Sequence, residues 1–180
     1  IASCLVGSEM CIRDSYYIPD SILIIGDKKD PEYWKDENAQ TIINAFKTKM
    51  NAAGYTAVDK DDADLGLQVS YVASTYYFHG YYNDGPWWGY YPGYWYPGYW
   101  GGNWGGGWYY PYPITYSYST GSLLADMINL KNAPEGQKEK LTVVWNAYIS
   151  GLLGGSGSLN VNRTTTAINQ AFTQSPYLKK

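Results

Sequence analysis

The stretch LGLQVSYVASTYYF, at residues 65–78, decides the fold class because its apolar residues recur with a period of two. Leu67 and Val69 alternate with Gln68 and Ser70, so the two sets point to opposite sides of an extended chain. Such alternation is typical of an antiparallel strand with one buried face and one polar face. We therefore predict a half-buried strand at this position.

Two helices are predicted on either side of this strand. Residues 36–53 carry one apolar stripe at helical spacing, which starts after the candidate N-cap Asp36 and stops at Gly54. A second helix is predicted to begin after Asn160 or Asn162 and to end at Ser175-Pro176. The residues predicted to face inward are Ala39, Ile42, Ile43, Phe46, Met50, Ala53, Ile168, Ala171 and Phe172.

The rest of the chain reads as strands joined by polar connections. Pro19 suggests that the first strand lies at a sheet edge or begins there, and residues 27–35 read as a polar connection. The further strands are predicted at residues 16–25, 55–58, 114–119, 123–130 and 141–149. The order β-α-β-β, aromatic insertion, β-β-α predicts one α+β domain over residues 16–180, with an antiparallel-rich sheet and both helices packed on one face.

Composition excludes several classes of protein. The chain has 180 residues and a net charge of −3, and its Lys and Arg residues are scattered, which argues against a nucleic-acid partner. No apolar run reaches the ~18 residues that a membrane-spanning helix needs. Cys4 and Cys11 are the only cysteines, so the sequence offers no disulfide framework and no cysteine-based metal site. No cofactor is predicted.

The first fifteen residues read unlike the rest. LVGSEMCIRDS, at residues 5–15, resembles the translated reading frame of a sequencing adapter, and we exclude it from fold reasoning. IASC, at residues 1–4, resembles the lipobox of a bacterial lipoprotein signal peptide, in which Cys4 would carry the lipid. Residues 1–15 are therefore predicted to be either non-native or the remnant of a signal peptide.

The aromatic segment, residues 80–113, separates two predicted strands by 34 residues that include ten Tyr and six Trp. A connection of this length is typical of a functional or disordered element. Four interpretations stay open: a mobile low-complexity segment, a platform that stacks on envelope glycan, a lipid-headgroup contact, or a self-association surface. The candidate binding residues are Trp87, Trp88, Tyr94, Trp95, Tyr99, Trp100, Trp104 and Trp108.

Catalytic and metal-binding patterns are weak. His79 is the only histidine. Asp126 interrupts an apolar strand, and it is either a perturbed general base or a residue that faces solvent or pairs at the sheet edge; we favour the second interpretation. The acidic run at residues 59–64 fits no EF-hand register and reads as a solvated turn. We expect no catalytic residues and no metal site.

Several local sequences together resemble one bacterial family. They are YYIPDSIL (residues 16–23), DPEYWKDENAQTIINAF (30–46), AGYTAVDKDDADLGLQVSY (53–71), GSLLADMINLK (121–131), LTVVWNAYISG (141–151) and INQAFTQSPYL (168–178). The chain resembles the envelope family called domain of unknown function 4136, in particular its Bacteroides-type members, which are described as outer-membrane lipoproteins. The ordered set covers residues 16–178 and is fairly specific, although no single motif is diagnostic.

The resemblance implies a lipid-anchored domain on the outer membrane, facing the periplasm, and it implies no catalytic residues. We therefore expect a non-catalytic envelope domain that uses the aromatic segment for structural or binding contacts, with the outer membrane and an envelope glycan or protein as partners. The alternative is a glycan-binding module that stacks saccharides on Tyr and Trp rings. A hydrolase is the third hypothesis.

Overall fold

The structure is a computed structural model, and it describes residues 13–26, 30–73, 76–79, 96–101, 104, 108–110, 115–131, 140–155 and 159–180. Within these ranges the strands are β1 (Ser15–Tyr17), β2 (Ile22–Ile25), β3 (Glu32–Trp34), β4 (Thr56–Ala57), β5 (Leu65–Val72), β6 (Tyr76–His79), β7 (Trp108–Tyr109), β8 (Thr115–Tyr118), β9 (Ser122–Asn129) and β10 (Leu141–Ile149). The helices are α1 (Glu37–Ala52), α2 (Val161–Thr173) and two 3₁₀ helices, Pro97–Trp100 and Pro176–Leu178.

The main sheet is mixed, with the strand order β3-β2-β5-β9-β10-β7. Its centre is antiparallel, because β9 pairs along its length with β5 on one side and with β10 on the other. Parallel pairs are added at the margins, where β1 and β2 join β5, β4 joins β1, and β7 joins β10. The α+β prediction is confirmed, with a sheet that is mixed around an antiparallel centre.

The structure describes ten strands where six were predicted. The predicted strand at residues 65–78 is divided into β5 and β6, of which β6 pairs with β8 in a separate two-stranded sheet, and β7 lies within the aromatic segment. The other two additions have local reasons. The predicted strand at residues 16–25 is divided into β1 and β2 around Pro19, which has no N–H to donate to a ladder. The predicted polar connection at residues 27–35 contains β3, whose Tyr33 and Trp34 pair with β2. Three residues are too few to show a period, so this strand had no pattern to reveal it.

Both helices begin and end as predicted. The Asp36 carboxylate accepts a hydrogen bond from the Ala39 N–H (3.0 Å), and the Asn160 side chain accepts one from the Arg163 N–H (3.0 Å). Gly54 follows α1 with φ +99°, a conformation that favours glycine. The stripe of α1 is buried together with Ile168 of α2 against one side of the main sheet, which we call the helix face.

The opposite side of the sheet, which we call the aromatic face, is buried too. Gln68 and Ser70 have no exposed surface, so the prediction of a half-buried β5 was wrong. The reason is that Trp100, Trp108 and Tyr110 of the aromatic segment pack on this side, with Leu23, Ile128 and Val143 among their neighbours. The sheet is therefore the middle layer between a pair of helices and an aromatic cover.

The start of the described chain is fastened to the sheet. The Arg13 side chain is buried and donates from Nε to the Asn129 Oδ1 (3.0 Å), and the Asp64 carboxylate accepts from the Ser15 N–H and hydroxyl. Residues 13–15, which the sequence placed with the adapter-like stretch, thus pack in the domain. Cys4 and the rest of residues 1–12 lie outside the described residues. None of the described helices could span a membrane.

Candidate functional site

The aromatic face carries a row of three polar side chains at its centre. Gln68 of β5 lies opposite Asp126 of β9, and Asp126 lies opposite Asn146 of β10. Residues two apart along a strand share a face, so the rows on either side of this one contain Leu124 and Ile128. A polar row is therefore enclosed between apolar rows and covered by aromatic rings.

Asp126 is the acid with the most perturbed environment in the described chain. It is 1% exposed, and its Oδ1 accepts from the Tyr110 hydroxyl (3.4 Å) and from the Asn146 Nδ2 (3.4 Å). Burial raises the pKa of Asp126 to about 7, and the bonds from Asn146 and Tyr110 offset only part of that rise. Two long bonds from neutral groups compensate poorly for a buried carboxylate.

The prediction that Asp126 faces solvent or pairs at a sheet edge was wrong. It lies on β9, at the centre of the sheet, and Tyr110 covers it. No sequence pattern indicates this burial, since Tyr110 is 16 residues away and belongs to an aperiodic segment. A general base must come within hydrogen-bond reach of its substrate, and here the protein's own side chains occupy that space.

A β-bulge brings Asn146 to the polar row. The register of β10 on β9 shifts between Val143 and Trp145, which reverses the alternation of the strand. Trp145 therefore points to the helix face, where its Nε1 donates to the Ser175 hydroxyl (3.0 Å), while Asn146 points toward Asp126. Sequence reasoning missed this contact because strict alternation would place Asn146 on the opposite face.

Four of the predicted binding residues can be placed. Trp100 and Trp108 are buried against the aromatic face, whereas Tyr99 and Trp104 are partly buried and pack at its margin. The rings of Trp100 and Trp108 thus contribute to the core and offer little surface to an external ligand. Trp87, Trp88, Tyr94 and Trp95 lie outside the described residues. The backbone of His79, the only histidine, belongs to β6.

The 3₁₀ helix Pro97–Trp100 is held in place by a cation and by ring contacts. Lys60 donates from Nζ to the Tyr99 carbonyl (2.9 Å) and lies 4.7 Å from the centre of the Tyr99 ring. Trp100 meets Tyr99 and Tyr17 edge-on at 5.0 and 6.3 Å between ring centres. Tyr96, directly before this helix, is 61% exposed. The 3₁₀ helix is thus held against the sheet, and the residue directly before it presents an exposed aromatic ring.

A second polar cluster fastens the turn before β9. The Tyr148 hydroxyl lies 3.0 Å from the Ser119 N–H, which donates to it, and 3.0 Å from each of the Ser119 and Ser122 hydroxyls. Burial alone would raise the pKa of Tyr148, but these hydrogen bonds outweigh burial and lower it. The sequence does not indicate this cluster, because short polar residues such as Ser119 and Ser122 are common in turns.

Metal ligands do not converge in the part of the chain that the structure describes: no three His, Cys, Asp or Glu side chains there could hold an ion. The candidate site as a whole consists of a covered polar row, the buried rings that cover it, and the exposed ring of Tyr96. The buried rings can hold an exposed aromatic contact surface in place. Acid–base chemistry at Asp126 would first require Tyr110 to move.

Comparison with known proteins supports a single family. The family model described as Domain of unknown function (DUF4136) matches residues 14–177. A crystal structure of a DUF4136 family protein from Bacteroides thetaiotaomicron VPI-5482 is similar to this chain, with 51% sequence identity and a TM-score of 0.81. That similarity covers 97% of this chain and 93% of the other. No curated protein gives a significant match.

Proposed function

The chain belongs to the DUF4136 family, and we propose that it is a non-catalytic domain of the bacterial cell envelope that uses its aromatic segment for contacts. In its native form it would be anchored by lipid to the outer membrane and would face the periplasm. The observation that carries the proposal is that the aromatic segment has both buried and exposed rings. Trp100, Trp108 and Tyr110 are buried against the sheet, whereas most of the surface of Tyr96 is exposed.

The enclosed position of Asp126 supports a non-catalytic role. Asp126 has the raised pKa that a general acid or base requires, yet Tyr110 and Asn146 enclose its carboxyl group. A hydrolase would need this carboxyl group to reach a substrate. Assays on envelope saccharides and peptides test the point, because turnover by the full chain that Asp126→Asn abolishes would overturn the non-catalytic assignment.

The alternative, a glycan-binding module, is favoured by Tyr96. A tyrosine ring combines an apolar face with a polar tip, which suits stacking on a sugar ring. The test is titration of the full chain with soluble peptidoglycan fragments, followed by tryptophan fluorescence. We expect quenching that Tyr96→Ser reduces, while Tyr33→Ser, which alters an exposed ring on the edge strand β3, leaves it unchanged.

Localisation needs its own test. In cells that carry the native gene, fractionation should recover the protein with the outer membrane, and metabolic labelling with radioactive palmitate should mark it. Recovery in the soluble fraction without label would contradict the anchor. Binding of glycan by the purified chain would still be informative in that case, since it does not depend on the anchor.

A further inference from the structure

The chain enters and leaves the fold at one end of the sheet, which we call the entry end. β1 begins there beside β4, and Asp14 forms an ion pair with Lys180 at the other terminus. The Lys180 N–H donates to the Ala53 carbonyl (3.0 Å), so the last residues lie across the end of α1. Residue 13, the first that the structure describes, therefore lies at this end of the sheet together with residue 180.

Two exposed tyrosines lie at the entry end. Tyr177, in the 3₁₀ helix Pro176–Leu178, is 66% exposed. Tyr96 is 61% exposed and precedes the 3₁₀ helix Pro97–Trp100, which packs through Trp100 on Gly66 at the start of β5. These are the two most exposed large hydrophobic side chains of the described residues. They come from opposite layers of the domain, so the entry end presents an aromatic ring on each side of the sheet.

A groove of about 270 Å³ opens between the C-terminal ends of α1 and α2, next to Tyr177. Its apolar lining includes Ala53, Phe172 and Leu178, and two cations, Lys49 and Lys179, line it as well. The Lys180 ammonium, which lies 5.0 Å from the centre of the Tyr55 ring, is balanced by Asp14 and adds no net charge. The helix layer at the entry end thus combines apolar surface with positive charge.

We propose that the entry end lies against the phospholipid bilayer, an inference that rests on the proposed lipid anchor. Tyrosine side chains concentrate at the headgroup level of membranes, where the ring is shielded and the hydroxyl stays hydrated. Lysines beside an apolar groove can cover acyl surface with their methylene groups and direct their ammonium groups to lipid phosphates. Tyr96 and Tyr177 would contact the headgroups, and Lys49 and Lys179 the phosphates.

Charge at the entry end limits the strength of this contact. The turn that holds the exposed carboxylates Asp59, Asp61 and Asp62 lies at the same end, on the side of Lys60 and the aromatic cover. These acids offset the lysines, so the surface by itself should bind anionic membranes weakly. An anchor raises the local concentration of lipid, and a weak surface then suffices to set the orientation of the domain.

The experiment uses the full chain tethered to a membrane by a synthetic anchor. In a Cys11→Ser background, Cys4 is coupled either to a maleimide lipid in vesicles of phosphatidylcholine and phosphatidylglycerol or to N-ethylmaleimide in solution. Hydrogen–deuterium exchange is then compared between the two samples. We expect severalfold slower exchange on vesicles at residues 96–101 and 176–180, and equal exchange at residues 32–34 of β3.

Matched variants show whether the slower exchange comes from contact of the tyrosines with the membrane or from tethering alone. Tyr96→Ser/Tyr177→Ser should remove the slowing, whereas Tyr33→Ser, at the third exposed ring, should keep it. Unchanged exchange on vesicles, slowing at β3 instead, or slowing that survives the double substitution would each overturn the orientation. So would equal slowing in solution by soluble saccharide, which would assign the surface to glycan. Because the tether is synthetic, the result stands apart from native lipidation, which fractionation tests.

Discussion

The two faces of one sheet are buried by different means, and only one of them leaves a pattern in the sequence. The helix face is covered by α1 and α2, whose apolar residues recur at helical spacing. The aromatic face is covered by a short 3₁₀ helix, the two residues of β7 and Tyr110, which show no period. Large rings bury much surface with few residues, so a cover built from them does not need a regular element.

Removing one buried ring from each face shows whether both covers contribute to the core. We expect Trp100→Ala and Phe46→Ala each to cost about 3–5 kcal/mol of unfolding free energy, because both side chains are buried and leave a cavity. Urea unfolding of the full chain measures both. A Trp100→Ala cost well below that of Phe46→Ala would mean that the aromatic cover is dispensable to the core.

The stability of the protein should depend on pH. In the described chain, only the aromatic face buries an acid whose pKa is strongly shifted. Burial raises the pKa of Asp126 to about 7 from its ordinary 3.8, so the folded state holds the proton more tightly than the unfolded chain. The stability that the protonated acid contributes is therefore complete below about pH 4 and lost as the pH rises through about 7. At 1.36 kcal/mol per unit, the loss is at most roughly 4 kcal/mol.

Asp126→Asn keeps the shape of the side chain and carries no charge. We expect this variant to be more stable than the parent at about pH 8 and to flatten the dependence of stability on pH between about 4 and 8. Asp61→Asn, at an exposed carboxylate, is the matched control and should leave the slope intact. Parallel curves for Asp126→Asn and the parent would show that the acid is not protonated by burial.

The aromatic cover meets the sheet most closely where Trp100 lies against Gly66. A Cβ on Gly66 would lie 2.5 Å from Trp100 Cζ3 and 2.9 Å from Ile128 Cγ1, closer than real contacts allow. We expect Gly66→Ala to cost about 1–3 kcal/mol through overpacking. Gly155→Ala, where a Cβ meets nothing within 4 Å, should be neutral. A neutral Gly66→Ala would place Trp100 farther from the sheet than the structure does.

The difference between the two faces also explains which features the sequence predicts. The two helices, their caps and the alternation of β5 were predictable, because each depends on residues near in sequence. The burial of Gln68 and Asp126 was not, because it depends on Tyr110 and other rings that arrive from an aperiodic segment. Alternation shows which side chains share a face, and it does not show what covers that face.

Asn146 illustrates a second limit. A one-residue bulge in β10 decides which face this side chain joins, and LTVVWNAYI contains no glycine or proline to mark the bulge. The placement is settled by packing, since Trp145 fits between the sheet and Phe172 of α2 at 5.3 Å between ring centres. The candidate site therefore depends on a register that the sequence alone does not specify.

The smallest expected effect comes from the cation that fastens the cover. Lys60 donates to the Tyr99 carbonyl and lies over the Tyr99 ring, so Lys60→Met keeps the length of the side chain and removes both interactions. We expect a loss of about 1 kcal/mol, since one exposed cation–π contact and one hydrogen bond each contribute about that much or less. Lys35→Met, whose ammonium lies 5.9 Å from the Tyr33 ring centre outside the cover, should cost a few tenths of that. If urea unfolding gives Lys60→Met the same small loss as Lys35→Met, the rings hold the aromatic face closed without help from charge, just as apolar residues alone close the helix face.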